Sequence, residues 1–198
     1  MQRDELLELH YITRVENLES ILRHGILSHR RAESHQHISV AMEEIQERRA
    51  KVVVPGGRPL HEYANLYINA RNKMMYKRRC HDGCEGLCVV RIDTAVLDLP
   101  GVIIADKNAS SDYVAFRTAP RGLRFIDSER VFAQSWNHDD PIEKLRHGSE
   151  MCAEVLVPDK VLPRFIQGLY VPNATVLNKV TEEHNGLAAI VQRHIFML

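Results

Sequence analysis

The run Met151-Cys152-Ala153-Glu154-Val155-Leu156-Val157-Pro158 sets a carboxylate among apolar residues. It reads as a strand closed by proline. Alternation puts Cys152, Glu154 and Leu156 on one face and Ala153, Val155 and Val157 on the other. An unpaired buried carboxylate is strongly disfavoured or takes up a proton. Glu154 is therefore an edge-strand residue facing water or an arginine, or a group kept for electrostatic or proton-transfer chemistry. A second constellation is cationic. Arg71, Lys73, Lys77, Arg78 and Arg79 crowd together with no acidic residue among them. Such a stripe suits a focused phosphate contact, or is simply a solvated helix face.

Other familiar chemistries find little support. Cys80, Cys84 and Cys88 with neighbouring His81 lack the paired spacing that closes a tetrahedral zinc site, and no metal is expected. The histidines form no His-Glu-x-x-His pattern, and Gly56-Gly57 is followed by no Lys-Ser/Thr opening a helix. Neither Gly-x-Gly-x-x-Gly nor Gly-x-Ser-x-Gly occurs.

The elements that must carry these residues are short. Leu9 to Thr13 reads as a strand, followed by a helix from Val15 to His24 with Leu18, Ile21 and Leu22 at helical spacing and Gly25 as its cap. A second helix is expected from about Ser39 to Ala50, with Ala41, Met42 and Ile45 on one side. Strands are expected at Tyr63 to Asn69, Gly86 to Ile92, Gly101 to Ala105 and Phe165 to Val171, with a basic helical stretch running through Lys77. Lys107 to Ser111 is a polar loop, Val131 to Gln134 is ambiguous, and Asp139-Asp140-Pro141 opens a turn or helix. Val176 to Glu183 and Gly186 to Val191 fit a helix and a final strand. Irregular succession of short strands and few helices points to an α+β domain.

The 198 residues suit a single domain, 1–198, with 44% hydrophobic and 26% charged residues in the ordinary globular range. No apolar run reaches the roughly 18 residues of a membrane span. The start Met1-Gln2-Arg3-Asp4-Glu5 lacks a signal peptide's apolar core, so a cytoplasmic location is expected and the four cysteines are read as thiols. Zero formal net charge argues against a general nucleic-acid coat protein.

Four blocks, in order, carry a family resemblance. They are Ile12, Thr13, Asn17, Leu18, Ile21, Leu22 and Gly25; then Ile45, Arg48, Arg49 and Val52; then Tyr63, Tyr67, Arg71, Met74 and Tyr76; then Ala153, Glu154, Leu156 and Val157. Together they resemble the DarT family of DNA ADP-ribosyltransferases, toxins that use NAD to modify bases in single-stranded DNA. The segment from Asn65 to Tyr76 departs from the family pattern, losing three prolines or aromatics. Tyr11 stands where some members have histidine, with His10 one place earlier.

The resemblance implies an ADP-ribosyltransferase fold: two small antiparallel sheets around an NAD cleft, with flanking helices. It assigns catalysis to Glu154 and Arg49, and the NAD site to His10, Thr13, Asn17 and Tyr67. Arg71, Lys73, Lys77 and Arg78 would guide DNA, and the Lys107 to Phe116 loop would meet the target nucleotide. Each has a plain alternative: Arg49 as a helix-surface cation, the tyrosines as half-buried anchors, Asn17 as a helix cap. The expected partner is a macrodomain antitoxin, and guanine stands ahead of thymine as target base because of the departing segment. An ADP-ribosyltransferase acting on RNA or protein, or a catalytically silent NAD- or nucleic-acid-binding module, is the competing reading.

Overall fold

The computed structural model describes residues 1–38 and 43–198. The chain opens with β1 (Leu9–Arg14), a tight turn, α1 (Leu18–His24), β2 (Ile26–Leu27) and α2 (His29–Ala32). Next come α3 (Glu43–Ala50), β3 (Val53–Val54), β4 (Arg58–Pro59), β5 (Tyr63–Tyr67), α4 (Lys73–Asp82) and β6 (Leu87–Ile92). β7 (Ile103–Ala105), β8 (Phe116–Thr118), α5 (Ser128–Val131) and α6 (Pro141–Glu150) follow. The last elements are β9 (Glu154–Pro158), β10 (Lys160–Val161), β11 (Ile166–Val171), α7 (Ala174–Glu183) and β12 (Ala189–Val191). Residues 39–42 of the helix expected from Ser39, including Ala41 and Met42, lie outside the described residues.

Eight strands hydrogen-bond in the order β12-β11-β6-β1-β5-β9-β7-β8. Pairing along that order is uneven. β1 and β6 run antiparallel over six positions and β5 and β9 over five, but β1 meets β5 at the single pair His10↔Tyr67. The two sheets expected from the sequence are thus two four-stranded halves joined at one seam. His10 reinforces it, its Nδ1 lying 3.2 Å from the Ile68 carbonyl oxygen.

Two apolar layers flank the β9 half. Ala153, Val155 and Val157 face the main core beneath α1 and α7, with Leu18, Ile21, Leu66, Ile104 and Val176. Leu156 faces a smaller cluster with Val54, Leu60, Ile103 and Ala109, and Cys152 a third with Ile12, Tyr67 and Met75. Alternation along the strand therefore sets Glu154 on the side away from the main core.

The strand begins later than the sequence suggests. Cys152 N–H donates to Ser149 O (3.0 Å) and Ala153 N–H to Glu150 O (3.0 Å), so Met151 to Ala153 close α6 instead of extending β9. Gly25 has a required place after α1: its φ is +86°, and an added Cβ would sit 2.0 Å from Val161 O. α4 starts sharply because Asn72 Oδ1 accepts from Met74 N and Met75 N at 2.9 and 3.1 Å. α6 starts on Asp140, which caps Ile142 N at 2.9 Å, with Pro141 at the first turn.

Candidate active site

Arg48 and Arg49 are neighbours with opposite fates. One residue of helix turns a side chain by about 100°. Arg48 stays in solvent and pairs with Glu44 at 2.8 Å, whereas Arg49 is 6% exposed. Its guanidinium reaches across to β9, with Nη1 donating to Glu154 Oε1 and Nη2 to Oε2, both at 3.0 Å. The fork geometry matches the carboxylate, and no ammonium reproduces it. Burial favours loss of the Arg49 charge, but the Glu154 carboxylate and its hydrogen bonds outweigh it and hold the pKa above the usual arginine value.

Glu154 is fully buried and takes a third bond from Ala109 N–H, 3.1 Å from Oε1. The donor comes from the loop between β7 and β8, which is tied at both ends. Asp106 N–H donates to Ala115 O (3.2 Å), and Ala115 N–H to Asp106 Oδ1 (2.9 Å). Asn108 N–H donates to Ser149 O at 3.0 Å, anchoring the loop on α6. Its tip presents Tyr113, 96% exposed and at φ +60°.

A cleft of about 1280 Å³ opens beside this pair. Arg49 lines it; Glu154 lies directly behind. Thr13, Asn17 and Tyr67 line it, as do Lys73 and Lys77 from α4 and Lys107 and Tyr113 from the loop. Asn17 holds one wall: its Nδ2 donates to Ile38 O (2.8 Å) and Thr13 Oγ1 (3.2 Å), and its Oδ1 accepts from Ile38 N–H (2.9 Å). Tyr67, paired with Glu154 in strand register, has its hydroxyl pKa pushed well above the usual value by burial and then by the Glu154 charge. Burial likewise pushes the Cys152 thiol up to about 11, so this cleft-lining cysteine is a neutral thiol at neutral pH and not a nucleophile.

Three expected residues lie elsewhere. His10 does not line the cleft; its ring is caught between Ile68 O and Glu8 Oε1 (3.1 Å), and Tyr11 is the strand neighbour at the cleft wall. Period-two alternation explains the exchange. Arg71 donates to Gln134 O (2.6 Å), and neither it nor Arg78 is among the lining residues. Sequence reading missed His29 and His61, whose ring centroids lie 4.2 Å apart in the cleft wall with their planes tilted by 40°. Burial, then His29 and Arg49, lower the His61 pKa. Their separation in sequence leaves no spacing pattern to find them by. Among the described residues, no group of three or more His, Cys, Asp or Glu side chains is arranged to hold a metal, and Cys84, Cys88 and Cys152 are buried free thiols.

Residues 10–195 match the family model described as ssDNA thymidine ADP-ribosyltransferase, DarT. The chain belongs to the DarT family. Curated relatives include a DNA ADP-ribosyl transferase–DNA ADP-ribosyl glycohydrolase fusion protein of Thermosipho africanus, 32% identical over 185 residues, covering 90% of this chain and 46% of the fusion. A DNA ADP-ribosyl transferase of Thermus sp. is 42% identical over 71 residues, 34% of each chain. The chain thus spans about half the length of the fusion and a third of the Thermus protein in these matches. Among solved structures, Thermosipho africanus DarTG in complex with ADP-ribose superposes with a TM-score of 0.85 at 27% identity, over 97% of this chain and 51% of that one. Thermus sp. DarT in complex with ADP-ribosylated ssDNA superposes at 0.83 and 23% identity, over 96% of both chains, a likeness of fold. Among the described residues, no helix of this DarT chain is long and apolar enough to cross a membrane.

Proposed function

We propose that this chain is an NAD-dependent ADP-ribosyltransferase acting on a base of single-stranded DNA, working in the cytoplasm as the toxin of a toxin–antitoxin pair. The carrying observation is the buried, bidentate Arg49–Glu154 pair on the wall of a cleft large enough for a dinucleotide and a nucleotide together. The family description names thymidine, and on that support we take thymine ahead of the guanine expected from Asn65 to Met75.

The transfer breaks the nicotinamide–ribose bond of NAD, releasing neutral nicotinamide, and joins the ribose carbon to a ring nitrogen of the base, whose proton passes to solvent water. An ionised carboxylate has about four acceptor sites. Three are taken by Arg49 and Ala109, leaving one for a ribose hydroxyl. From there Glu154 stabilises the positive charge that grows on the ribose as the bond breaks. Arg49, charged at every working pH, is no general base. It stabilises negative charge on the base as the proton leaves, and does so strongly because the wall is dry. Since Arg49 lies over Glu154, engagement of both groups requires it to release at least one of its two bonds.

Thr13, Asn17 and Tyr67 line the NAD side. His10 acts from outside the cleft, by stitching the seam beside Tyr67. Lys73 and Lys77, in the cleft wall, guide the DNA backbone, with Arg71 and Arg78 of the same basic stretch outside the lining. The glycohydrolase half of the fusion relative supports a partner that removes the mark, here a macrodomain antitoxin. Incubating the chain with NAD and each of four homopolymer oligonucleotides, then weighing the nucleosides by mass spectrometry, tests the reading. ADP-ribosyl-thymidine is expected; label on protein or RNA but never on DNA sinks it.

A further inference from the structure

A target ring nitrogen must shed a proton as it bonds to the ribose, and Arg49, charged throughout, cannot take it. Burial holds Tyr67 and Cys152 in their protonated forms. Glu154 has three acceptor sites filled by Arg49 and Ala109. Asp112 and three histidines also line the cleft. Asp112 and His37 stand in solvent, and His29 turns its Nε2 toward Glu33 Oε1 at 3.7 Å. His61 differs from all of these.

Tyr63, Asn65 and Tyr67 of β5 line the cleft at every second position, and His61, two residues before the strand, begins that row. Its ring is half-buried and close enough to Arg49 for that charge to disfavour the imidazolium. A hydrogen bond to the Gln46 backbone favours the protonated ring, so the Gln46 carbonyl is the acceptor. Among the described residues, His61 Nε2 has no hydrogen-bond partner although it is buried. The bonded nitrogen is therefore Nδ1, which carries the hydrogen, and Nε2 presents its lone pair. Gln46, one turn before Arg49 on α3, also lines the cleft with its Oε1 buried and, among the described residues, unpartnered. Buried acceptors without a donor are costly and call for one. A substrate that brings an N–H to this wall supplies it.

The groups around the ring set its charge. Burial, His29 on α2 and Arg49 on α3 disfavour the imidazolium; Glu33, just past α2, and the Gln46 carbonyl favour it, and the first set prevails. Glu62, next in the chain, is engaged by Arg30 and Arg58. A ring kept neutral at neutral pH is ready to accept a proton.

We propose that His61 is the general base of the transfer, its Nε2 accepting the proton of the target ring nitrogen. The electron pair of that N–H becomes the bond to the ribose carbon. The nicotinamide–ribose bond breaks with its electrons left on neutral nicotinamide, and the imidazolium passes its proton to water. Arg49 steadies the negative charge on the base while the proton moves. The inference rests on the base-modifying reading above and adds its proton acceptor.

The test measures kcat at saturating NAD and single-stranded DNA between about pH 4.5 and pH 8, for wild type, His61→Ala and His29→Gln. Wild-type kcat is expected to fall with pH on a limb lying below 6.5, as the ring becomes protonated. His61→Ala is expected to lose about 100-fold in kcat at neutral pH, and the limb with it, the KM for NAD changing far less. Added imidazole is expected to restore part of that loss. His29→Gln removes a neighbour that lowers the His61 pKa, so its limb is expected to move to higher pH. This second variant carries the test if His61→Ala melts early. A wild-type-like kcat for His61→Ala overturns the assignment. So does a limb that persists in that variant, a loss that imidazole leaves unrepaired, or an unmoved limb in His29→Gln. Any of these with DNA labelled by the wild type removes the His61 assignment alone; absence of DNA labelling by the wild type at every pH removes the underlying reading as well.

Discussion

Arg49 and Glu154, 105 positions apart in sequence, meet through two parallel hydrogen bonds in a dry wall, neither residue more than 6% exposed. Such a pair contributes little net stability as a pair, because two charges had to leave water. Breaking it from one side is costly, because the other charge is then buried alone. The geometry therefore separates a substitution's effect on folding from its effect on transfer.

Glu154→Gln keeps the side chain's shape and an oxygen that accepts from Arg49 Nη1 and Ala109 N–H, but it turns an NH2 donor against Arg49 Nη2 and removes the negative charge. Transfer is expected to fall by about 100-fold or more, the scale of losing one preorganised electrostatic group. Glu154→Ala is expected to cost stability as well, about 3–5 kcal/mol, by stranding Arg49. Nucleoside mass spectrometry and urea melts on both proteins check this. Near-wild-type turnover by Glu154→Gln would falsify the catalytic assignment.

Arg49→Lys keeps the charge and loses the fork. A lysine meets Glu154 with one contact at most times and centres its charge differently against the base. Turnover is expected to drop about 100-fold with the KM for NAD changing far less. The Arg49→Lys/Glu154→Gln double variant should be no worse than the poorer single one, since the residues act as a unit. Full activity of Arg49→Lys across substrate concentrations would return Arg49 to a structural role.

Asn17→Ala removes a clamp on both backbone groups of Ile38. Two net hydrogen bonds amount to about 2 kcal/mol, so the KM for NAD is expected to rise roughly 10- to 30-fold while kcat holds. Steady-state kinetics at saturating DNA decide; a fall in kcat with KM unmoved would place the clamp in the chemistry instead of the binding.

The pH dependence of stability is expected to trace to Glu8, which does not line the cleft. Burial pushes its pKa up, but hydrogen bonds from His10, Tyr170 and Arg91 (2.8 Å) more than reverse this, lowering it from 4.5 to about 2. A lowered folded-state pKa contributes stability that is complete above about 4.5 and lost as pH falls toward 2. Wild type should therefore exceed Glu8→Gln in urea midpoint at pH 6, with the gap closing between pH 4.5 and pH 2. A gap unchanged across that window would dissolve the link.

Glu154 and Arg49, which the structure pairs, stood out in the sequence because a carboxylate in an apolar run is anomalous on its face and Arg49 falls in a recognisable block. β1, α1 and β6 were legible because their periodicity runs over six or seven residues. α2 and α5 have four residues each, too few for a helical stripe. β8 has three, two of them exposed polar residues on a sheet edge, so it shows no alternation. His10 was misplaced by one position, the smallest error a strand allows and the one that reverses its face. The seam between the half-sheets depends on strand pairing, which no local pattern encodes.

Strandedness gives the sharpest substrate prediction. A base inside a duplex must be unpaired and unstacked, at about a few kcal/mol, before its edge reaches a pocket. Proteins that offset this cost do so with extensive backbone contact. This chain has zero formal net charge, and the lysines lining its cleft are Lys51, Lys73, Lys77 and Lys107. It is expected to modify a single-stranded oligonucleotide at least about 100-fold faster than the same sequence in duplex, a few kcal/mol of difference. The advantage should shrink at a mismatch, where the base is already loosened, and reactivity in single strands should fall as salt rises. Initial rates with one labelled strand, alone, paired and mispaired, give the answer. Equal rates on paired and unpaired strands would mean that the cleft opens duplex DNA by contacts other than these.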